Sequence, residues 1–317
     1  MTKFKGLLLT EGMHGMISQV EGLAKALDIE FTHQKVELNN VWELIPPKFT
    51  PISKLAFKTF GTLDFDIIIS CGRKSVVPSI YIKKNSIKKV YNIHIQDPKV
   101  SLSNFDFIIA PEHDGLSGNN VLTTKGAIHY ISKEEIINSK NYLIDKFQLN
   151  NYFNEEKLVT IILGGPNKYY SFNDTDLIEI FEKIKTTFIN TGHQAIVIPS
   201  IRTPQRIINL AKKYFDRREL VITEIDKKAY LAALGMAKYI VVTCDSTSMI
   251  SESAITGKPI YVAHMKATKQ NLRFKNFFDL FRSLNIIRNL GTPVENWSYE
   301  NINETNRIAE EIKKQIS

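Results

Sequence analysis

A short apolar run, a turn and then an amphipathic stretch form a pattern that recurs along this 317-residue chain, and it sharply limits the possible folds. Such runs suit strands buried on both faces, and the stretches between them suit helices that cover those faces. Gly6–Thr10 (GLLLT) reads as a buried strand, and Ile17, Val20, Leu23, Ala24 and Leu27 then recur at helical spacing. Asp66–Ser70, Lys89–Ile95 and Phe105–Ala110 read as further strands, and Ser132–Phe147 as helix. Asn150–Lys157 (NNYFNEEK) is polar and aperiodic, which predicts a boundary between domains at 1–150 and 151–317. A second series follows, with strands at Leu158–Leu163, Ala195–Pro199, Glu219–Thr223, Tyr239–Thr243 and Pro259–Ala263. Its helices are Asp174–Ile189 and a terminal helix, Glu300–Ile316, expected to pack back on the first domain. The fold class is therefore α/β, with two Rossmann-like domains built on parallel sheets. Ligands of such sheets lie beyond the carboxyl ends of the strands, so the turns that follow strands are where chemistry is expected.

Several classes are excluded. Two cysteines, Cys71 and Cys244, cannot build a disulfide framework or a cysteine-rich zinc module, and they fit a reducing compartment. No run of about 18 apolar residues offers a spanning helix. The opening residues, MTKFKGLLLTEGMHG, turn polar too soon for a secretory signal, so a cytoplasmic location is expected. No GxSxG elbow, Walker A loop, HExxH helix or CxxC pair is present, which argues against the corresponding hydrolases, NTPases and zinc enzymes. The net charge of +8 favours anionic partners without choosing among them. The lysines form no evident stripe and no nucleic-acid motif is recognisable, so nucleic acid is not expected. A membrane surface has a better basis. In Lys48–Asp64, Phe49, Ile52, Leu55, Phe57 and Phe60 interleave with Lys48, Lys54 and Lys58. That pattern suits a basic amphipathic segment on an anionic bilayer, or a core-packed helix with solvated lysines.

Seven turns stand out. Thr10–Gln19 carries Gly12 and Gly15, which let backbone approach a ligand, and His14, whose imidazole could serve as a general base. It lacks the GxGxxG spacing of a dinucleotide site and reads equally as a tight turn. Arg73 follows the second strand, and Arg202, with Thr203, follows a strand of the second series. Each arginine could clamp a phosphate bidentately or be a solvated side chain. Asp97 and Asp114 are acid–base candidates, although aspartate before proline or glycine is also ordinary turn chemistry. His113 beside Asp114 makes two adjacent ligands without a third, so no metal is expected. Gly164-Gly165-Pro166 opens the second domain as a phosphate-approaching loop or a plain turn. Ser246, Thr247, Ser248, Met249, Ser251 and Glu252 start a helix. Hydroxyls and backbone N–H groups there suit phosphate, and Glu252, about a turn in, could accept both hydroxyls of a ribose. The alternative is a serine-rich N-cap with Glu252 as capping-box glutamate.

The sequence resembles the mitochondrial fission ELM-type family. The matching stretches are residues 12–27 (GMHGMISQVEGLAKAL), 71–75 (CGRKS), 95–98 (IQDP), 105–114 (FDFIIAPEHD), 123–129 (TTKGAIH), 162–166 (ILGGP), 200–204 (SIRTP) and 245–259 (DSTSMISESAITGKP). Phe278 to Gly291, with Leu280, Arg282 and Arg288, resembles the family's closing motif, and Ile201 stands where the family usually has a second arginine. The resemblance implies a GT-B fold, two Rossmann-like domains facing across a cleft, with acceptor on the first and nucleotide sugar on the second. It implies a metal-independent glycosyltransferase with no cofactor, using a nucleoside-diphosphate sugar, UDP-linked by expectation, and a lipid-linked or envelope-glycan acceptor. Glu252 would anchor the ribose, and Ser246–Ser251, Gly164–Pro166 and Arg202 would hold the leaving diphosphate. Asp97, Asp114 or His14 would take the acceptor proton. Two alternatives remain open: a nucleotide-sugar 2-epimerase of the same fold, and a non-catalytic scaffold peripheral to the inner face of a membrane.

Overall fold

The computed structural model describes residues 4–58, 64–149, 152–215, 219–291 and 293–316. The chain divides into two units: Met1–Tyr130 with Asn303–Ser317, and Ile131–Ile302.

The first unit contains β1 (Lys5–Thr10), α1 (His14–Ala26), β2 (Glu30–Lys35), β3 (Ile67–Cys71), α2 (Val76–Lys84), β4 (Tyr91–Ile95), β5 (Phe107–Pro111) and β6 (Val121–Thr124). Its strands are all parallel, in the order β2-β1-β3-β4-β5-β6. Side chains alternate across a strand, so the leucines of β1 part company. Leu8 packs with Val20 and Leu23 of α1 and with Ile67, Ile69 and Ile93. Leu7 and Leu9 join Ile68, Val36, Phe57 and Val77 on the other face.

The second unit contains α3 (Lys133–Ser139), α4 (Tyr142–Phe147), β7 (Leu158–Leu163), α5 (Asp174–Thr187), β8 (Gln194–Pro199), α6 (Gln205–Tyr214), β9 (Leu220–Val221), α7 (Lys227–Met236), β10 (Tyr239–Thr243), α8 (Thr247–Ala254), β11 (Ile260–Ala263), α9 (Leu272–Ser283) and β12 (Ile287–Asn289). Its sheet is also wholly parallel, in the order β12-β11-β10-β7-β8-β9. The chain then returns to the first unit with α10 (Glu304–Lys313), whose Ile308, Ala309 and Ile312 pack in the same core as α1.

In each sheet the strand order reverses once, between β1 and β3 and between β7 and β10. These reversals open crevices at the carboxyl ends, where ligands of doubly wound sheets bind.

Three readings differ from the sequence expectations. Ser132–Phe147 is two helices, broken at Lys140 and Asn141. Residues 131–150, assigned to the first domain, lie in the second unit, because buried Leu143 packs with Ala229, Ala232 and Ala233 of α7. Tyr142 Oη and Lys146 Nζ also reach Asp226 at 2.7 and 2.9 Å. Finally, 48–58 is not an amphipathic helix but a loop with short 3₁₀ turns at Pro47–Phe49 and Lys54–Ala56. Phe57 is buried, and Phe60 lies outside the described residues.

Candidate functional site

At the crevice between β7 and β10, one aspartate ties several loops together. Asp245 follows β10 and is buried. Its Oδ1 accepts from Thr243 Oγ1 at 2.6 Å. Its Oδ2 accepts from Arg202 Nη2 at 2.6 Å and from the Gly165 amide at 3.3 Å. Burial pushes this carboxyl above its ordinary value, while Arg202, Thr243 and Gly165 pull against that shift. Arg202 Nη1 donates to the Gly165 carbonyl at 3.2 Å, and Asn167 Nδ2 to the Asp245 carbonyl at 3.1 Å. Buried Thr203 places its hydroxyl 2.7 Å from the Leu163 carbonyl and 2.9 Å from that of Gly164. The two glycines are needed for this close approach. A Cβ on Gly164 would lie 2.0 Å from Asp245 Oδ1, and one on Gly165 1.9 Å from the Arg202 carbonyl oxygen. Pro166, next in the loop, is exposed. Arg202 is thus anchored by Asp245, with its side chain 35% exposed toward solvent.

Helix α8 begins at the same edge. Ser246 is its N-cap, accepting from the Met249 amide at 3.3 Å, and Ser251 Oγ donates back to the Thr247 carbonyl at 2.8 Å. Thr247 and Ser248 are half-buried, while Met249 and Ser251 are buried. The first turn of a helix presents N–H groups with no intrahelical acceptor and a positive dipole end, which suits an anion. Glu252 is no capping-box partner. Its carboxylate accepts from Tyr230 Oη of α7 at 3.0 Å. Burial pushes the Glu252 carboxyl up to about 7, and the Tyr230 hydrogen bond works to lower it.

The first unit gathers Gly12, His14, Gly15 and Arg73 around the crevice between β1 and β3. Gly12 holds φ +86°, and its amide donates to Thr10 Oγ1 at 3.1 Å. Glu11 accepts from the Lys74 amide at 3.1 Å, tying the two loops together. His14 is the first residue of α1, with Nε2 3.4 Å from Tyr130 Oη, and space is open around Gly15. Arg73 is engaged elsewhere: Nη1 donates to the Ile45 carbonyl at 2.9 Å and Nη2 to that of Glu43. Asp97, beyond β4, closes its own turn on the Lys99 amide at 2.9 Å and also bonds Lys99 Nζ. Burial pushes its carboxyl upward, but the bonds to Lys99 prevail and hold it below the usual range. Asp114, beyond β5, places Oδ1 3.6 Å from Nε2 of buried His113.

Among the described residues, no three His, Cys, Asp or Glu side chains assemble a metal-holding group, and no helix is long and apolar enough to cross a membrane. A cavity of about 750 Å³ lies at the opposite, amino-end edge of the second sheet. Its lysines are engaged: Lys140 with Glu155, Lys238 with Glu156, and Lys258 with the Leu234 and Gly235 carbonyls that end α7. Asp245 and Tyr230 are the site residues that sequence reasoning did not single out. Asp245 had a signal, an acidic residue directly after an apolar strand and before the serines. Tyr230 had none, because only the packing of α7 against α8 brings it to Glu252.

Comparison with known proteins agrees with this architecture. The chain is 27% identical, over 96% of its length and 97% of the relative's, to an uncharacterised protein of Rickettsia prowazekii. It is 24% identical, over 84% of its length and 67% of the relative's, to the mitochondrial fission protein ELM1 of Arabidopsis thaliana. Similar solved structures include a UDP-GlcNAc 2-epimerase from Methanocaldococcus jannaschii, with a TM-score of 0.52, 14% identity and coverage of 99% of this chain and 100% of that one. MnaA from S. aureus, solved with UDP, has a TM-score of 0.53, 14% identity and coverage of 99% and 97%. MurG from Acinetobacter baumannii has a TM-score of 0.52, 9% identity and coverage of 98% and 90%. At these identities the likeness establishes the fold, which is GT-B. The family described as Mitochondrial fission ELM1 matches residues 14–316, and the chain belongs to that family.

Proposed function

We propose that the second unit binds a nucleoside-diphosphate sugar, UDP-linked, and that the protein transfers the sugar to a lipid-linked or envelope-glycan acceptor without a metal ion. The observation that carries this reading is the start of α8 at the β7/β10 crevice, with Glu252 of the same helix held by Tyr230. A diphosphate at the α8 N-terminus would meet orphan N–H groups, a helix dipole and the Ser246–Ser248 hydroxyls. As the glycosidic bond breaks, negative charge grows on the leaving diphosphate, and these fixed dipoles stabilise it without reorganising. The Glu252 carboxylate would accept the two ribose hydroxyls, and Arg202, anchored through Asp245, would offer its exposed edge to phosphate. Asp97, Asp114 and His14 remain the proposed acid–base groups of the first unit. The bonds to Lys99 hold the Asp97 carboxyl below the usual range. Peripheral association with the inner face of a membrane completes the proposal.

Isothermal titration with UDP, GDP, CDP, TDP and ADP tests the donor site. Selective binding of one nucleotide, weakened about tenfold or more by Glu252→Ala with the fold intact, is expected. Unchanged affinity in that variant would remove Glu252 from the site, and no binding at all would favour a scaffold. The likeness to 2-epimerases supports a second reading, in which sugar nucleotide is converted with no acceptor present. Product analysis without acceptor separates the two.

A further inference from the structure

We propose that residues 36–58, the described part of the loop that follows β2, seat this protein on an anionic phospholipid surface. The loop is built, not slack. Leu38 and Phe57 pair across its base as an antiparallel bridge. The Asn39 amide donates to the Ala56 carbonyl at 3.0 Å, the Lys58 amide to that of Glu37 at 2.9 Å, and Asn39 Nδ2 to that of Leu55 at 2.8 Å. Val36, Leu38, Ala56 and Phe57 anchor it in the core, and Arg73 grips its middle at the Glu43 and Ile45 carbonyls. Between these anchors Trp42 packs against the core, while five apolar side chains face outward. Leu44 is 88% exposed, Leu55 73%, Phe49 69%, Val41 67% and Ile52 42%. Five of the fifteen large apolar side chains exposed among the described residues thus fall in one stretch of fifteen residues, a concentration that marks an interaction surface.

Charge selects the occupant. Both acidic residues between Val36 and Lys58 are paired, Glu37 with Lys58 and Glu43 with Lys74, and Asp64 and Asp66 before β3 pair with Lys88. Lys48 and Lys54 adjoin the exposed Phe49 and Leu55, and neither has a carboxylate partner among the described residues. Bulky apolar side chains beside uncompensated ammonium groups suit a bilayer of anionic lipid, with the first entering the acyl boundary and the second meeting headgroup phosphates. This inference does not depend on the nucleotide reading, and nucleotide titration of the same variants keeps the two apart.

Co-sedimentation of the full chain with vesicles is the test. One set is phosphatidylcholine alone, and the other contains about one-third phosphatidylglycerol. Binding to the anionic set only is expected, weakening at about 1 M salt, where screening falls to about 3 Å. Lys48→Gln and Lys54→Gln should each weaken it about fivefold. Phe49→Ser with Leu55→Ser should weaken it by more than tenfold. Leu272→Ser, a control at an exposed apolar residue elsewhere, should leave it unchanged. All these side chains are exposed, so thermal melts should match the wild type. The proposal is overturned by absence of binding to anionic vesicles, or by full binding of the Phe49/Leu55 variant. It is equally overturned if that variant instead abolishes self-association on a sizing column, which would make a second copy the occupant.

Discussion

Arg202 and Asp245 share charge across the loops of the second unit, and the two are not equivalent. Asp245 is enclosed, whereas Arg202 keeps a face in solvent. Arg202→Ala would therefore leave a carboxylate buried without its cation, a loss of about 3–5 kcal/mol. Adding Asp245→Asn removes the stranded charge and should restore part of that loss. Urea unfolding midpoints of the two variants check this, and a double variant weaker than Arg202→Ala alone would show the pair to be uncoupled. Glu252 carries a pH signature. Its folded pKa lies near 7, above the ordinary 4.5, so across that window the folded state keeps a proton the unfolded chain has released. Stability contributed by this group is thus present at acid pH and is lost as pH rises through 7, at most about 1.4 kcal/mol per pH unit. Glu252→Gln mimics the protonated form. It should melt with the wild type near pH 4.5 and above it at pH 8, and parallel melting curves at both would contradict the burial of this carboxyl.

Elements were legible where burial left a pattern. Leu158–Leu163 and Tyr239–Thr243 were read to the residue, because interior strands of parallel sheets are apolar on both faces. The strands not read were β2, β6 and β12, and each is an edge strand. Glu30–Lys35 (EFTHQK) is largely exposed and shows no period, so only its pairing with β1 makes it a strand. The break at Lys140 and Asn141 was also invisible, since helical periodicity runs on while α3 and α4 turn to follow α7. Helix α10 shows the converse, a pattern legible in sequence whose partner is not. Ile308 and Ile312 are fully buried in the core of the first unit. Ile308→Ala should cost about 2–5 kcal/mol by opening a cavity there, measured by denaturant unfolding. A loss under about 1 kcal/mol would mean that α10 is peripheral to that core.

At the scale of the whole molecule, the chain passes between units twice, after Tyr130 and after Ile302. The polar stretch at Asn150–Lys157 looked like the boundary because exposure alone makes a segment polar, and a surface connection inside a unit is as exposed as a linker. Likewise the aromatic and lysine residues near Lys48 read as one amphipathic face, yet their exposure was decided by which of them the sheet could cover. Phe57 packs on Leu7 and Leu9, and Phe49 and Leu55 do not. The sequence by itself determined the α/β class, the two parallel sheets and the turns at their carboxyl ends, because these follow from periodicity and turn chemistry along the chain. It also placed Gly164, Gly165 and Arg202 at strand ends and Glu252 within the helix that follows one. Only the tertiary structure decided what those residues touch. Asp245 meets Arg202 from 43 residues away and Tyr230 reaches Glu252 from 22, and partners so far apart are set by strand order and helix packing, which leave no local pattern to read.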